Sequence, residues 1–153
     1  LVNLQGQLVG INTAIASNTG SYNGYGFAIP ANEGAKSLAS FKKNGKITGA
    51  FLGVRFITLN ADIAKQNKLP KDYGALIVRG KTMTDFAVLP GSPADKAGLM
   101  ENDIILEVNG KKLSEDFSLS RSLKAFRPND QITMKIFRKD EEKTVTVTLG
   151  ETK

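Results

Sequence analysis

The sequence predicts an α+β, mainly β fold: a small, partly open β-barrel with two to three helices, preceded by a β-hairpin and a linker helix. Three observations lead there. Strands, short helices and a hairpin alternate in an order that is neither a βαβ series nor a helical bundle. The stretch Ser92-Pro93-Ala94-Asp95-Lys96-Ala97-Gly98 specifies a one-turn helix at both ends. Leu119, Leu123 and Phe126 recur at the spacing of one helix face, between segments that alternate as strands do.

Taken in order, Leu8–Ile15 is rich in strand formers and follows a turn at Gln5-Gly6-Gln7. Ser17–Gly24 has loop chemistry, and Tyr25–Ile29 is a second strand ended by Pro30. Such a hairpin is marginal alone in water. Asn32 is the expected N-cap of a helix with Glu33 in its first turn and a stop at Asn44-Gly45. Residues 46–50 lead into the main domain.

Leu52–Thr58 is a strand, and Asn60 caps a helix over Ala61–Asn67 that stops at Leu69-Pro70. Gly74–Val78 is a buried strand, residues 79–86 form a polar loop, and Ala87–Leu89 is another strand. Ser92 is an N-cap, and Pro93 occupies the first helical position, where its missing N–H costs nothing. Asp95 sits near the positive helix end and Gly98 supplies the left-handed stop. Asn102-Asp103 turns into the strand Ile104–Val108, and Asn109-Gly110 is a strong hairpin signal before Lys111–Leu113. A helix opened by residues 114–116 carries Phe117, Leu119, Leu123 and Phe126 and stops at Pro128-Asn129-Asp130. Gln131–Arg138 and Lys143–Leu149 are strands around a turn at Lys139–Glu142.

The 153 residues are 41% hydrophobic and 24% charged, the profile of a globular protein. With no Cys and no His, disulfides, thiolate sites, His metal sites and His-based triads are excluded. No catalytic residue, metal ligand or cofactor is assigned. The net charge of +6 comes from Lys and Arg scattered among Asp and Glu, without the clustered stripe and aromatic platforms that nucleic acid requires. It leaves an acidic peptide or an anionic membrane surface as weaker partners. The chain opens on Leu1-Val2-Asn3-Leu4, with neither Met nor a basic leader, and is expected to be a piece of a longer protein.

The motif Pro90–Leu99, followed by Asp103-Ile104-Ile105 and Val108-Asn109-Gly110, closely resembles the central segment of bacterial PDZ domains. Asn102 stands where that family has Gly, a small departure because Asn tolerates the left-handed region. The helix Ser118–Phe126 with its Pro128 stop looks like the family's groove helix. Leu1–Ile15 and Gly26–Pro30 look like the end of the trypsin-like double β-barrel of an HtrA/Deg protease, just beyond its catalytic Ser motif. The resemblance divides the chain into 1–30, incomplete protease strands; 31–48, a linker helix; and 49–150, a PDZ domain. It implies a serine endoprotease parent, periplasmic or extracytoplasmic, free or membrane-associated, whose catalytic Ser, His and Asp lie outside this chain.

It also implies capture of peptide or unfolded-protein C-termini by strand addition. The implied binding residues are Phe51, Leu52, Gly53, Val54, Arg55 and Phe56, with Leu119, Ser120 and Leu123 closing the groove. In isolation Leu-Gly-Val reads first as an ordinary buried strand, and only the downstream motifs favour the binding reading; Leu119 and Leu123 read equally as core. Arg55 is free to pair with an acidic ligand position or to stay solvated. A bulky β-branched residue at Gly53 is expected to abolish binding and leave the fold largely intact. Thr13, Ala14, Ile15, Tyr25, Gly26 and Phe27 would be a residual protease substrate pocket, or plain sheet residues. The alternative function is oligomerisation or scaffolding, with Leu8–Ile15 pairing to another sheet or a second copy of the chain.

Overall fold

A computed structural model describes residues 1–16, 24–82 and 84–152. The loop expected at 17–24 lies outside the described residues except for Gly24. The chain forms two compact units, Leu1–Thr48 and Gly49–Lys153.

In the first unit, β1 (Gly10–Ile15) pairs antiparallel with β2 (Gly26–Pro30). The register shifts between Asn12 and Ala14, so Thr13 is the extra residue of a bulge. The strand starts later than Leu8, which makes only an isolated bridge to Val2. The turn between them begins at Asn3, whose side-chain oxygen accepts from the Gln5 and Gln7 N–H groups.

The following helix, α1 (Ala31–Asn44), is not capped by Asn32. Pro30 is the N-cap and contributes no side-chain bond. The Ala31 N–H instead donates to Val9 O, so the hairpin ladder runs directly into the first helical residue. Gly45 stops the helix in the left-handed region as expected. Among the described residues no helix is long and apolar enough to cross a membrane.

The second unit contains β3 (Ala50–Phe51), β4 (Phe56–Leu59), α2 (Ala61–Gln66), β5 (Gly74–Ile77) and α3 (Pro93–Lys96). It continues with β6 (Ile104–Val108), β7 (Lys111–Lys112), α4 (Leu119–Leu123), β8 (Gln131–Arg138), β9 (Glu141–Thr148) and β10 (Gly150–Glu151). The main sheet runs β4-β5-β6-β8-β9, with β7 beside β6, and β10 pairs separately with β3. The sheets are open, as a mixed, mainly β fold without barrel closure.

Ile77, Ile105, Leu113, Leu119, Met134, Ile136 and Leu149 centre the core on one face of the sheet. A smaller cluster of Leu59, Leu76, Ile104 and Leu106 covers the other. Because both faces are covered, β5 is buried at every residue, as its unbroken apolar run Ala75-Leu76-Ile77 requires.

Four expected elements differ in detail. Leu52–Thr58 is not one strand: Gly53 takes φ +88, outside the β region, and β4 resumes only at Phe56. Ala87–Leu89 is reduced to an isolated bridge between Val88 and Val54. α4 is shorter than Ser118–Phe126, with Ser118 as its cap. Its continuation tightens, Ala125 and Phe126 N–H donating three residues back to Ser122 and Leu123. The β8–β9 turn is only Lys139-Asp140, at φ 49 and 63, so β9 begins at Glu141.

Asp103, wholly buried, ties β6 to the end of β8. Its two oxygens accept from Arg138 Nε and Nη2, both at 2.6 Å, and Oδ2 also accepts from Met100 N–H at 2.8 Å. Arg138 spends a further N–H on Gly98 O at 2.7 Å, and its hydrogen bond to Asp103 raises its pKa above the usual value. This satisfied, bidentate pair is the cost-bearing kind of buried charge, tolerable only while both partners stay in place.

Candidate peptide-binding site

The segment Phe51–Phe56 owes its shape to its carbonyls. Leu52 O accepts from Ala94 N–H at 2.9 Å, and Gly53 O accepts from Leu89 N–H at 2.9 Å and the Ser92 hydroxyl at 3.4 Å. A planar trans peptide points its N–H opposite its C=O. Turning these two carbonyls toward residues 89–94 therefore turns the Gly53 and Val54 N–H groups to the opposite side. Together with the Leu52 N–H they have no partner among the described residues. Successive N–H groups around a residue of positive φ make a concave anion site, able to receive a carboxylate.

The strand beside it has an open edge. β4 ends the sheet order. Arg55 N–H donates to Ala87 O at 2.8 Å, and Arg55 O accepts from Val78 N–H at 3.0 Å, so Arg55 faces the sheet. Ladder alternation then directs the N–H and C=O groups of Phe56 and Thr58 outward, where an added strand can pair.

Side chains follow the expected two-residue period. Val54 and Phe56 pack against the main core, and Arg55 and Ile57 are exposed. Leu123 and Phe126 pack half-buried against the same cluster, and Leu119 is completely buried within it. Leu119 thus lies beneath the surface, Leu123 reaches it, and Ser120 is exposed on α4. Phe51 is half-buried, in β3 opposite Gly150.

Gly53 is under tighter constraint than expected. A Cβ there would lie 2.3 Å from Ser92 Cβ and 2.6 Å from its Oγ. Any side chain at Gly53 consequently clashes with the buried cap of α3 as well as straining the loop, so a bulky residue there costs stability along with binding.

Two contributors were missed in the sequence. Ser92, legible as a helix cap, also packs under Gly53, and nothing in the local pattern signals that second role. Asp85 lies in the 79–86 loop and accepts from Arg55 Nη2 at 3.0 Å. Its carboxyl is held below the usual carboxylate range, chiefly by hydrogen bonds from Thr82 N–H and hydroxyl, then by the Arg55 charge. The mixture of Asp85 with Thr82 and Thr84 was the available hint.

The hairpin residues are brought together by strand pairing. Ala14 pairs with Phe27 and Ile15 with Gly26, Ala16 N–H donates to Tyr25 O, and Thr13 Oγ1 donates to Phe27 O at 3.1 Å. All six are exposed. Among the described residues no group of three or more acidic side chains is placed to hold a metal ion.

Comparison with known proteins places this geometry in a family. A family model described as PDZ domain matches residues 50–149. The chain is 37% identical to a probable periplasmic serine endoprotease, DegP-like, of Chlamydia pneumoniae, over 99% of this chain and 29% of that protein. It is 39% identical to the protein of the same description in Chlamydia muridarum, over 97% and 29%. It thus spans less than a third of these relatives. Among solved structures, the HtrA-type protease AlgW with decapeptide superposes with a TM-score of 0.75 at 28% identity, covering 97% of this chain and 43% of that one. The serine endoprotease from Yersinia pestis gives 0.61 at 26%, covering 99% and 46%. The chain belongs to the PDZ domain family, in the form carried by bacterial HtrA-type serine endoproteases.

Proposed function

We propose that residues 49–150 capture the free C-terminus of an extended peptide by adding it as a strand to β4. The terminal carboxylate is received by the N–H groups of Leu52, Gly53 and Val54. The peptide backbone pairs with the outer edge of Val54 and Phe56. The last side chain packs against the apolar surface that Val54, Phe56 and Leu123 share above Leu119, with Ser120 at the rim of α4. The single observation carrying this reading is the row of N–H groups with no partner among the described residues, beside an open strand edge. The similar AlgW protease, whose structure is known with a decapeptide, supports it by analogy.

On this reading the chain is the substrate-recruiting part of a periplasmic serine endoprotease. Residues 1–30 contribute strands to the protease domain, 31–48 connect, and hydrolysis is performed by residues outside this chain. Unfolded or cleaved proteins with apolar C-termini are the proposed ligands.

Fluorescence anisotropy of the chain with labelled peptides ending in Val, Leu or Phe tests the reading. The free acids bind, and the amides bind about tenfold or more weakly, the worth of hydrogen bonds to a charged group. Equal binding of acid and amide refutes it.

A second reading, self-association through the hairpin, is favoured by the exposure of Ile11, Ile15, Phe27 and Ile29. Light scattering that finds only monomer over a wide concentration range removes it.

A further inference from the structure

Arg55 lies on the proposed binding edge but has spent only part of its hydrogen-bonding capacity. Its N–H and C=O are both engaged on the sheet side, by Ala87 and Val78. Its side chain is 52% exposed and donates one N–H, from Nη2, to Asp85. A guanidinium has five N–H donors, and the others here have no partner among the described residues. Asp85 is already committed, accepting from Thr82 N–H at 3.2 Å as well as from Arg55. It anchors the guanidinium on the solvent face of the strand without covering it.

Strand addition fixes what meets this side chain, and the step rests on the proposed function above. With the carboxylate at Leu52–Val54 and the outward groups of Phe56 paired, the terminal residue stands opposite Val54. The penultimate residue stands opposite Arg55, and the third from the end opposite Phe56. Directly opposed residues of an antiparallel pair project to the same face, with Cβ atoms about 5 Å apart. The penultimate side chain therefore emerges beside the free side of the guanidinium, away from the apolar groove.

We infer that Arg55, anchored by Asp85, is a specificity residue that selects peptides with Asp or Glu immediately before an apolar C-terminal residue. The planar fork suits a carboxylate, and the net charge of +6 favours acidic ligands overall.

The test uses the full 153-residue chain and free-acid peptides that differ only in the penultimate residue: Glu, Ala or Lys. The Glu peptide should bind about threefold to fivefold tighter than the Ala peptide, the range of a partly exposed ion pair. Raising the salt concentration should compress the difference. In Arg55→Gln the Glu/Ala ratio should fall to near one, and in Arg55→Glu the Lys peptide should become the preferred ligand. A Glu/Ala ratio that survives Arg55→Gln, or a wild-type chain that prefers Lys, overturns the assignment; the latter would make Asp85 the selecting group. If the acids bind, their amides do not, and the penultimate residue has no effect, strand addition stands and this inference falls. If amides bind as well as acids, both fall.

Discussion

Gly53 and Ser92 should be energetically coupled, and the size of the coupling follows from their contact. In Gly53→Ala the new Cβ meets Ser92 Cβ at 2.3 Å and Oγ at 2.6 Å; the next neighbour, Phe51 Cε1, is at 3.3 Å and belongs to a ring that can shift. The overlap is therefore with one side chain. Overpacking of this kind costs about 1–3 kcal/mol, and holding Ala at φ +88 adds about 1–2 kcal/mol. Gly53→Ala should thus destabilise the second unit by about 2–5 kcal/mol. Ser92→Gly removes both overlapping atoms and, since Gly is a tolerable N-cap, costs only a few tenths of a kcal/mol itself. In the double variant the steric part vanishes and the backbone strain remains, a coupling of about 1–3 kcal/mol. Urea unfolding followed by far-UV circular dichroism measures all four corners, since the chain has no Trp to serve as a probe. Peptide binding should be lost in Gly53→Ala and return in part in the double variant. If Gly53→Ala costs the same in both backgrounds, the placement of Ser92 beneath the loop is wrong.

Other consequences are as direct. Asp103→Ala strands Arg138 beside an apolar core and should cost about 3–5 kcal/mol in urea unfolding, whereas a loss under 1 kcal/mol would show the pair to be dispensable. Replacing Lys139-Asp140 with Asn-Gly suits the two positive φ values and should stabilise the β8–β9 hairpin by about 1 kcal/mol, read as a higher urea midpoint. The Asp85 carboxyl, followed by NMR, should titrate below the usual Asp value of about 3.9 and move upward in Thr82→Pro, which deletes the strongest donor. Because its folded pKa is depressed, its contribution to the 79–86 loop is present above the unfolded pKa and disappears as pH falls through the folded one. An ordinary titration midpoint would remove that role. Asn60→Ala loses the bond from Ile63 N–H at the start of α2 and should cost about 1 kcal/mol in the same unfolding assay.

Most of the second unit was legible because its local signals agree with one another. Ser92, Pro93 and Gly98 specify α3 at both ends, Asn109-Gly110 closes β6 onto β7, and apolar alternation marks β8 and β9. Errors fell where tertiary hydrogen bonds outvote local preference. Asn32 is a good cap by type, but the ladder delivers Ala31 N–H to Val9 O and leaves no place for it. Leu52–Thr58 has the composition of a continuous strand, yet its carbonyls are claimed by Ala94 and Leu89, more than thirty residues away. No window of sequence contains that competition. Asp103 read as part of a turn because its partner Arg138 is equally remote.

The same remoteness explains what kind of site this is. The three N–H groups that have no partner among the described residues carry no side-chain signature, since every residue but proline has one. What distinguishes them is that residues 89–94 hold the two carbonyls facing the other way, and those contacts come from Leu89, Ser92 and Ala94. The Pro90–Leu99 motif is therefore the part of the sequence that announces the site, although it need not touch a ligand. Its stiff turn and short capped helix fix where Leu89 and Ala94 stand, and through them where Gly53 and Val54 point. Within residues 51–56 the side chains are not free either: Leu52 is buried in the main core, Val54 and Phe56 pack against it, and Gly53 admits no Cβ without a clash. Arg55 is the position on this edge whose side chain faces solvent with donors that have no partner among the described residues, so on the proposed reading selection among ligands concentrates there and capture rests on the backbone.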